Sequence, residues 1–167
     1  MQCDLFNLKG RSALITGGSR GLGKAMARGF AECGAKILIC SRKEEELQEA
    51  VAEIRAGLDV EVHYLVSDMS DRAAVDALAE KALELFGTVD ILVNNAGVNT
   101  PQAIDVIEDE TWDRILEINL TAIMRLTRAL VPQMKAQRWG RVIHISSVLG
   151  VGSKPGRNAY SATKAAL

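Results

Sequence analysis

The stretch that decides the fold is Ser12-Ala13-Leu14-Ile15-Thr16-Gly17-Gly18-Ser19-Arg20-Gly21-Leu22-Gly23. Ser12 to Thr16 is a short apolar run that ends in a glycine-rich turn. From Gly21 to Cys33, Leu22, Met26 and Phe30 recur every four residues, one stripe of a helix that Gly34 stops. Glycines in such a turn let a backbone approach a pyrophosphate, and the helix behind them offers free N–H groups and a positive dipole end. The spacing is G-x-x-x-G-x-G through Gly17, Gly21 and Gly23; Met26 stands where a G-x-G-x-x-G pattern needs its third glycine. Three spaced glycines exceed what a ligand-free turn requires.

Outward from this turn the chain alternates apolar runs with stretches of helical period. Lys36–Cys40 reads as a second strand, Lys43–Ala56 as a charged helix and Val60–Val66 as a third strand. A helix over Ser70–Phe86, a strand at Asp90–Val93 and one long helix over Thr111–Ala136 follow. Arg141–Ser146 is a fifth strand, and a last helix starts near Asn158. Strand runs that are apolar nearly throughout predict parallel strands covered on both faces. The order predicts an α/β fold: a Rossmann-like, doubly wound parallel sheet with helices on both faces, in one domain over residues 1–167. Ligands of such sheets bind beyond the C-terminal strand ends, here Thr16, Ser41, Ser67-Asp68, Asn94-Asn95 and Ser146-Ser147.

Composition narrows the function. With 167 residues, 20 Lys+Arg against 21 Asp+Glu and 4% aromatics, neither a basic nucleic-acid binder nor a base-stacking platform is expected. No apolar run reaches the ~18 residues of a membrane helix. Met1–Arg11 lacks the apolar core of a signal peptide, so a cytoplasmic location is expected. Cys3, Cys33 and Cys40 are odd in number and form no C-x-x-C pair, which suits reduced thiols. His63 and His144 have no second ligand at metal spacing and read as core or surface residues, so no metal is expected. Trp112 and Trp139 read as packing residues.

Two nucleotide readings compete at the turn. Gly18 to Lys24 satisfies G-x-x-x-x-G-K, the start of a P-loop, but Ala25 replaces the Ser or Thr that would hold Mg²⁺. Asp68 is its best second metal-holding acid. The dinucleotide reading is tested by the second strand, where a carboxylate would accept the ribose hydroxyl of NAD. That strand ends Cys40-Ser41-Arg42, with no acid before Glu44. Arg42 and Arg20 suit a 2′-phosphate instead, which favours NADP(H) over NAD(H). Lys43 either adds to this attraction or is solvated.

Further along come Asn94-Asn95-Ala96-Gly97, Asn119, Ser147 and Tyr160-x-x-x-Lys164. With the glycine turn, this ordered set resembles the short-chain dehydrogenase/reductase family over nearly the whole chain. Its NADP-dependent members of the tropinone-reductase, gluconate-5-dehydrogenase and 3-oxoacyl-carrier-protein-reductase kinds are the most similar in pattern. The resemblance implies hydride transfer between NADP(H) and a small-molecule ketone or secondary alcohol. It places Gly17, Ser19, Arg20, Gly21, Leu22 and Gly23 against the cofactor, with Ser41, Arg42, Asp68 and Met69. Asn95, Ala96, Gly97, Tyr160 and Lys164 complete that set.

A tyrosine serving as acid and base near neutrality must have its pKa lowered by ~3 units, about 4 kcal/mol. Lys164, one helical turn after Tyr160, supplies a positive charge on the same face. By resemblance Lys164 also bonds the nicotinamide ribose, Ser147 bonds the substrate oxygen and Asn119 holds a relay water. Asn119 has a second reading, a bond to its own helix backbone. Asp68 either bonds the adenine amino group or caps the next helix. Asn94 and Gly97 shape the loop and tie strands together.

The family implies more chain beyond Leu167: further strands, a substrate loop and half of a dimer interface. The sequence thus reads as a fragment of a homodimeric or homotetrameric reductase, its C-terminal strands missing and its fifth strand an apolar edge. The short last helix needs packing to hold Tyr160 and Lys164. A catalytically silent NADP-binding module is the alternative function.

Overall fold

β1 (Ser12–Thr16) is buried along its whole length, and its side chains alternate between the faces of a sheet. Ala13 and Ile15 enter one core while Leu14 enters the other. The computed structural model describes residues 6–167; Cys3 and the rest of Met1–Leu5 lie outside the described residues. The other strands are β2 (Lys36–Ser41), β3 (Val62–Val66), β4 (Ile91–Asn94) and β5 (Arg141–His144). All pair in parallel, in the order β3-β2-β1-β4-β5. Ile15 faces Ile39 and Val93, and Leu14 faces Leu38 and Leu92, so register lines up each apolar layer.

Helices cover both faces. α1 (Gly21–Glu32) and α2 (Glu44–Arg55) enclose one core with Ala27, Ala31, Leu47, Ala50 and Ile54. α3 (Arg72–Phe86) and α5 (Ala122–Ala136) enclose the other with Val75, Leu78, Leu126 and Leu130. A fully buried Leu or Ile contributes ~1.5–3 kcal/mol, so these layers supply most of the drive to fold. α4 (Asp109–Leu116) and α6 (Asn158–Ala165) lie towards the C-terminal end of the sheet. The strand order reverses between β1 and β4, and the crevice above that point is where a doubly wound sheet takes its ligand.

Four local expectations are corrected. The helix expected over Thr111–Ala136 begins at Asp109 and is broken by a π turn at Glu117–Thr121. The helix expected from Ser70 starts at Arg72, because the Asp71 side chain accepts from the Ala73 and Ala74 amides and caps it there. β3 starts at Val62 and β5 ends at His144, both shorter than expected. Burial on both faces holds for β1, β2 and β4 but not for β3 and β5, which form the two edges. Ile143 on β5 is 38% exposed. Trp139 is a packing residue as expected, half-buried against the α1–α2 core with the Arg11 guanidinium 3.8 Å above its ring.

Candidate active site

The glycine turn is built by backbone needs that only glycine meets cheaply. Gly17 and Gly21 have φ of +65° and +56°, in the left-handed region. A Cβ on Gly23 would be driven into the Gly17 carbonyl and stand 2.6 Å from Asn95 Nδ2. Gly18, which the sequence offered only as the first glycine of the P-loop pattern, packs against β2: a Cβ there would stand 2.6 Å from the Ile39 side chain. The Gly18 amide donates to the Cys40 carbonyl at 3.1 Å. Burial pushes the Cys40 thiol up to about 12, against the opposing pull of the Gly17 backbone.

Thr16 latches the turn to the loop after β4. Its hydroxyl oxygen accepts from the Asn95 and Ala96 amides, each at 3.0 Å. The Asn95 side-chain amide donates back to the Thr16 and Gly17 carbonyls at 2.9 and 3.2 Å. Asn95 is thus the tie between β1 and β4. Asn94 reaches the other way, its side chain 3.1 Å from His144 Nδ1 on β5.

Between these loops lies a cleft of about 390 Å³. Of the residues the sequence singled out, Gly17, Ser19, Arg20, Ser41, Arg42, Asp68, Met69, Asn95, Ala96 and Gly97 line it. Gly21, Leu22, Gly23, Tyr160 and Lys164 stand outside the lining, and Leu22 is 70% exposed. Lys43 and Ser67, also named from the sequence, line it too, and Glu46, Val98 and Ile118 complete the lining. Ser41 Oγ is buried and has no hydrogen-bond partner among the described residues. Arg20 and Arg42 are exposed and form no ion pair among them. An unsatisfied hydroxyl beside two free guanidinium groups is a ready anion site.

Asp68 does not cap α3. Its carboxylate takes the Ser70 amide and hydroxyl at 2.9 and 2.7 Å in an Asx turn, while Asp71 does the capping. Burial raises the Asp68 pKa, but the Ser70 bonds together with Arg42 and Arg114 bring it below the usual carboxylate range. Asp68 therefore presents a charged acceptor to the cleft. Lys24, which a P-loop needs on its phosphates, instead pairs with Glu53 of α2 at 2.6 Å. That pairing and Ala25 leave the P-loop reading without its working residues.

At the far end of the cleft, Gly97 brings the second half of the chain into contact. A Cβ on Gly97 would stand 3.4 Å from Asn119 Oδ1 and 3.6 Å from Lys164 Nζ. Asn119 sits in the π turn and is fully buried. It does not bond its own helix backbone. Oδ1 accepts from the Val98 amide at 2.8 Å, and Nδ2 donates to the Val98 carbonyl at 2.9 Å and to Thr163 Oγ1 at 3.1 Å. The side chain thus joins the β4 loop to α6. Asn119→Ala should cost ~1–3 kcal/mol in urea unfolding, since the Val98 amide and carbonyl lose their partners inside the fold. An unchanged midpoint would contradict this linking role.

α6 is short but held from several sides. The Ser146 hydroxyl donates to the Lys164 carbonyl at 2.6 Å, and Asn158 Nδ2 donates to the Gln102 carbonyl at 3.2 Å. Gly150, in a 3₁₀ turn at Val148–Gly150, approaches so closely that a Cβ would stand 2.5 Å from the Lys164 carbonyl oxygen. Ser147 caps that turn through its hydroxyl, which accepts from the Leu149 amide at 3.2 Å. These contacts dock the loop carrying Ser147 on the helix carrying Tyr160 and Lys164. Lys164 Nζ donates to the Ile145 carbonyl at 2.6 Å and stands 5.8 Å from the centre of the Tyr160 ring. Burial pushes the Lys164 pKa down. Burial likewise lowers that of His144, with the Lys164 charge adding to it.

Sequence comparison defines the class of protein. The family model for short chain dehydrogenases matches residues 11–167, and the chain belongs to that family. It is 42% identical over 163 residues to Nodulation protein G of Rhizobium sp. strain N33, and 38% identical over 162 residues to the 3-oxoacyl-(acyl-carrier-protein) reductase FabG of Escherichia coli. Those alignments cover 98% and 97% of this chain, which spans about 65% of the length of either relative. In structure it resembles L-sorbose reductase of Gluconobacter frateurii, crystallised with NADPH and L-sorbose: TM-score 0.93 and 38% identity, covering 97% of this chain and 62% of the other. No helix among the described residues is long and apolar enough to cross a membrane.

Proposed function

We propose that this chain, one dinucleotide-binding domain over residues 1–167, carries the NADP(H) site and the acid–base group of a reductase. The reaction interconverts a small-molecule ketone and a secondary alcohol. The observation that carries the reading is the layout of the cleft. A buried, unsatisfied Ser41 hydroxyl and the Arg20–Arg42 pair stand at one end, and Gly97 leads to Asn119 and Lys164 at the other. Ser41 and Arg42 would hold the 2′-phosphate, Asp68 the adenine, and the amides of the glycine turn the pyrophosphate. The bound nicotinamide would supply or take up the hydride.

The chain's own residues would handle the proton. Tyr160 gives it to the substrate oxygen as the carbonyl is reduced, and takes it back in the reverse direction. The Lys164 ammonium, buried and with a single hydrogen bond among the described residues, stabilises the phenolate left behind. It also keeps donors free for ribose hydroxyls. Ser147 steadies the substrate oxygen by hydrogen bonding. Asn119 positions the Val98 loop and α6, and the remaining lone pair of Oδ1 can hold a water on the path behind Lys164.

The relatives support this reading: one is named as a 3-oxoacyl-carrier-protein reductase, and another was crystallised with NADPH and a sugar ketone. The test is an equilibrium titration with NADPH and, in parallel, NADH. Arg42→Ala should weaken NADPH about tenfold or more while changing NADH far less, because only NADPH loses a charge-assisted pair. Equal losses for both cofactors would remove the 2′-phosphate role.

A further inference from the structure

The cleft contains two charges that this function does not use, Lys43 and Glu46, and they are paired with each other. Glu46, in the first turn of α2, is the first acid after β2 whose side chain reaches the lining. Its carboxylate takes the Lys43 ammonium at 2.9 Å and the Ser19 hydroxyl at 3.4 Å. Lys43 is the chief cause holding its carboxyl below the usual range, and Arg20 adds to the pull. An acid therefore occupies the donors that stand beside Arg42 and the empty-handed Ser41 hydroxyl. The positive charge here is partly spent before any ligand arrives.

We propose that Glu46 is an internal competitor for the cofactor's 2′-phosphate and sets how strongly the site prefers the phosphorylated nucleotide. The inference rests on the reading of this cleft as an NADP(H) site. A phosphate held by Ser41 and Arg42 finds the neighbouring donors Lys43 and Ser19 already taken by Glu46, and lies near a carboxylate that stays charged. Both effects oppose the phosphate and neither opposes an unphosphorylated ribose. Lys43 is 73% exposed and bound within its own helical turn, so it can exchange one anion for the other without moving the backbone. The competitor lowers affinity without lowering access, which favours release of the spent cofactor.

The test uses nucleotides without a nicotinamide, so that it reads binding and not turnover. The chain and its Glu46→Gln and Glu46→Ala variants are titrated calorimetrically with 2′,5′-ADP and with 5′-AMP, which lacks only the 2′-phosphate, after circular dichroism confirms equal folding. Removing the charge should tighten 2′,5′-ADP about fivefold in each variant and leave 5′-AMP within about twofold. Unchanged or weaker 2′,5′-ADP binding in both variants overturns the competitor. The unsubstituted chain tests the cofactor reading separately. If it binds neither nucleotide, both proposals fall; if it prefers 2′,5′-ADP and neither variant tightens, only the role of Glu46 falls. Should one variant fold poorly, the other gives the answer, since both remove the same charge from a partly exposed position.

Discussion

Tyr160→Phe in the whole natural protein should lower turnover by ~10²–10⁴ while leaving the NADPH dissociation constant within about twofold. The substitution removes one oxygen and keeps the ring. α6 keeps its docking, because Ser146, Gly150, Thr163 and Asn158 hold it through other atoms. Lys164 keeps its bond to the Ile145 carbonyl. What disappears is the proton donor for the developing alkoxide. Single-turnover hydride transfer, followed by NADPH absorbance, separates this loss from an effect on binding. Near-normal turnover would remove Tyr160 from the chemistry and leave Ser147 to be tested in its place. A parallel loss of NADPH binding would mean that the hydroxyl shapes the site and does not serve the reaction.

Gly23→Ala is expected to be the most damaging single methyl in the first half of the chain. The new carbon would collide with the Gly17 carbonyl and with the Asn95 amide group, which is the tie between β1 and β4. The Gly17 carbonyl cannot yield without moving backbone, and the Asn95 amide group can yield only by giving up its bonds to Thr16 and Gly17, so ~1–3 kcal/mol of stability should go, together with saturable NADPH binding. Gly29, in the same helix, has open space around its missing Cβ. Gly29→Ala should therefore gain ~0.5–1 kcal/mol from helix propensity alone. Measuring both by urea unfolding controls for the general effect of adding alanine to α1. Equal shifts in the two variants would show that the close approach at Gly23 is not a constraint.

Much of the architecture was legible because burial leaves a periodic trace. Leu14, Leu38 and Leu92 belong to apolar runs too short for helices; the stripe Leu22, Met26, Phe30 gave α1 its period but not its buried face, which is Gly23, Ala27 and Ala31, with Leu22 70% exposed. The cleft wall was legible for a similar reason: polar residues abruptly follow apolar runs at Ser41, Ser67-Asp68 and Asn95. What stayed hidden depends on contacts between elements. Gly18 lies next to Gly17 in sequence, and only the position of Ile39 on β2 shows that a side chain has no room there. Glu46 sits among three consecutive acids, and nothing in their order tells which one turns toward the cleft. Asn119 could be chosen from the ordered set of motifs, but its partners Val98 and Thr163 are remote in sequence. β5 is the apolar edge the sequence led one to expect, whereas β3 was misjudged, because an apolar run records what a strand can bury, not what covers it.

The π turn at Glu117–Thr121 has a consequence for how this helix tolerates change in length. Such a turn holds one residue more than the i→i+4 spiral around it and takes it up by widening, so the extra residue adds little of the ~100° of azimuth it would add to a regular helix. Deleting one residue within it would let the spiral close regularly, and Leu126, Leu130 and Met134 would keep the layer they share with Leu78. What would go is the bearing of Asn119 on Val98. A deletion beyond Ala122 has no such slack and would swing everything after it by about a quarter of a revolution. Gaps in this helix should therefore cost the site when they fall in the π turn and the core when they fall after it.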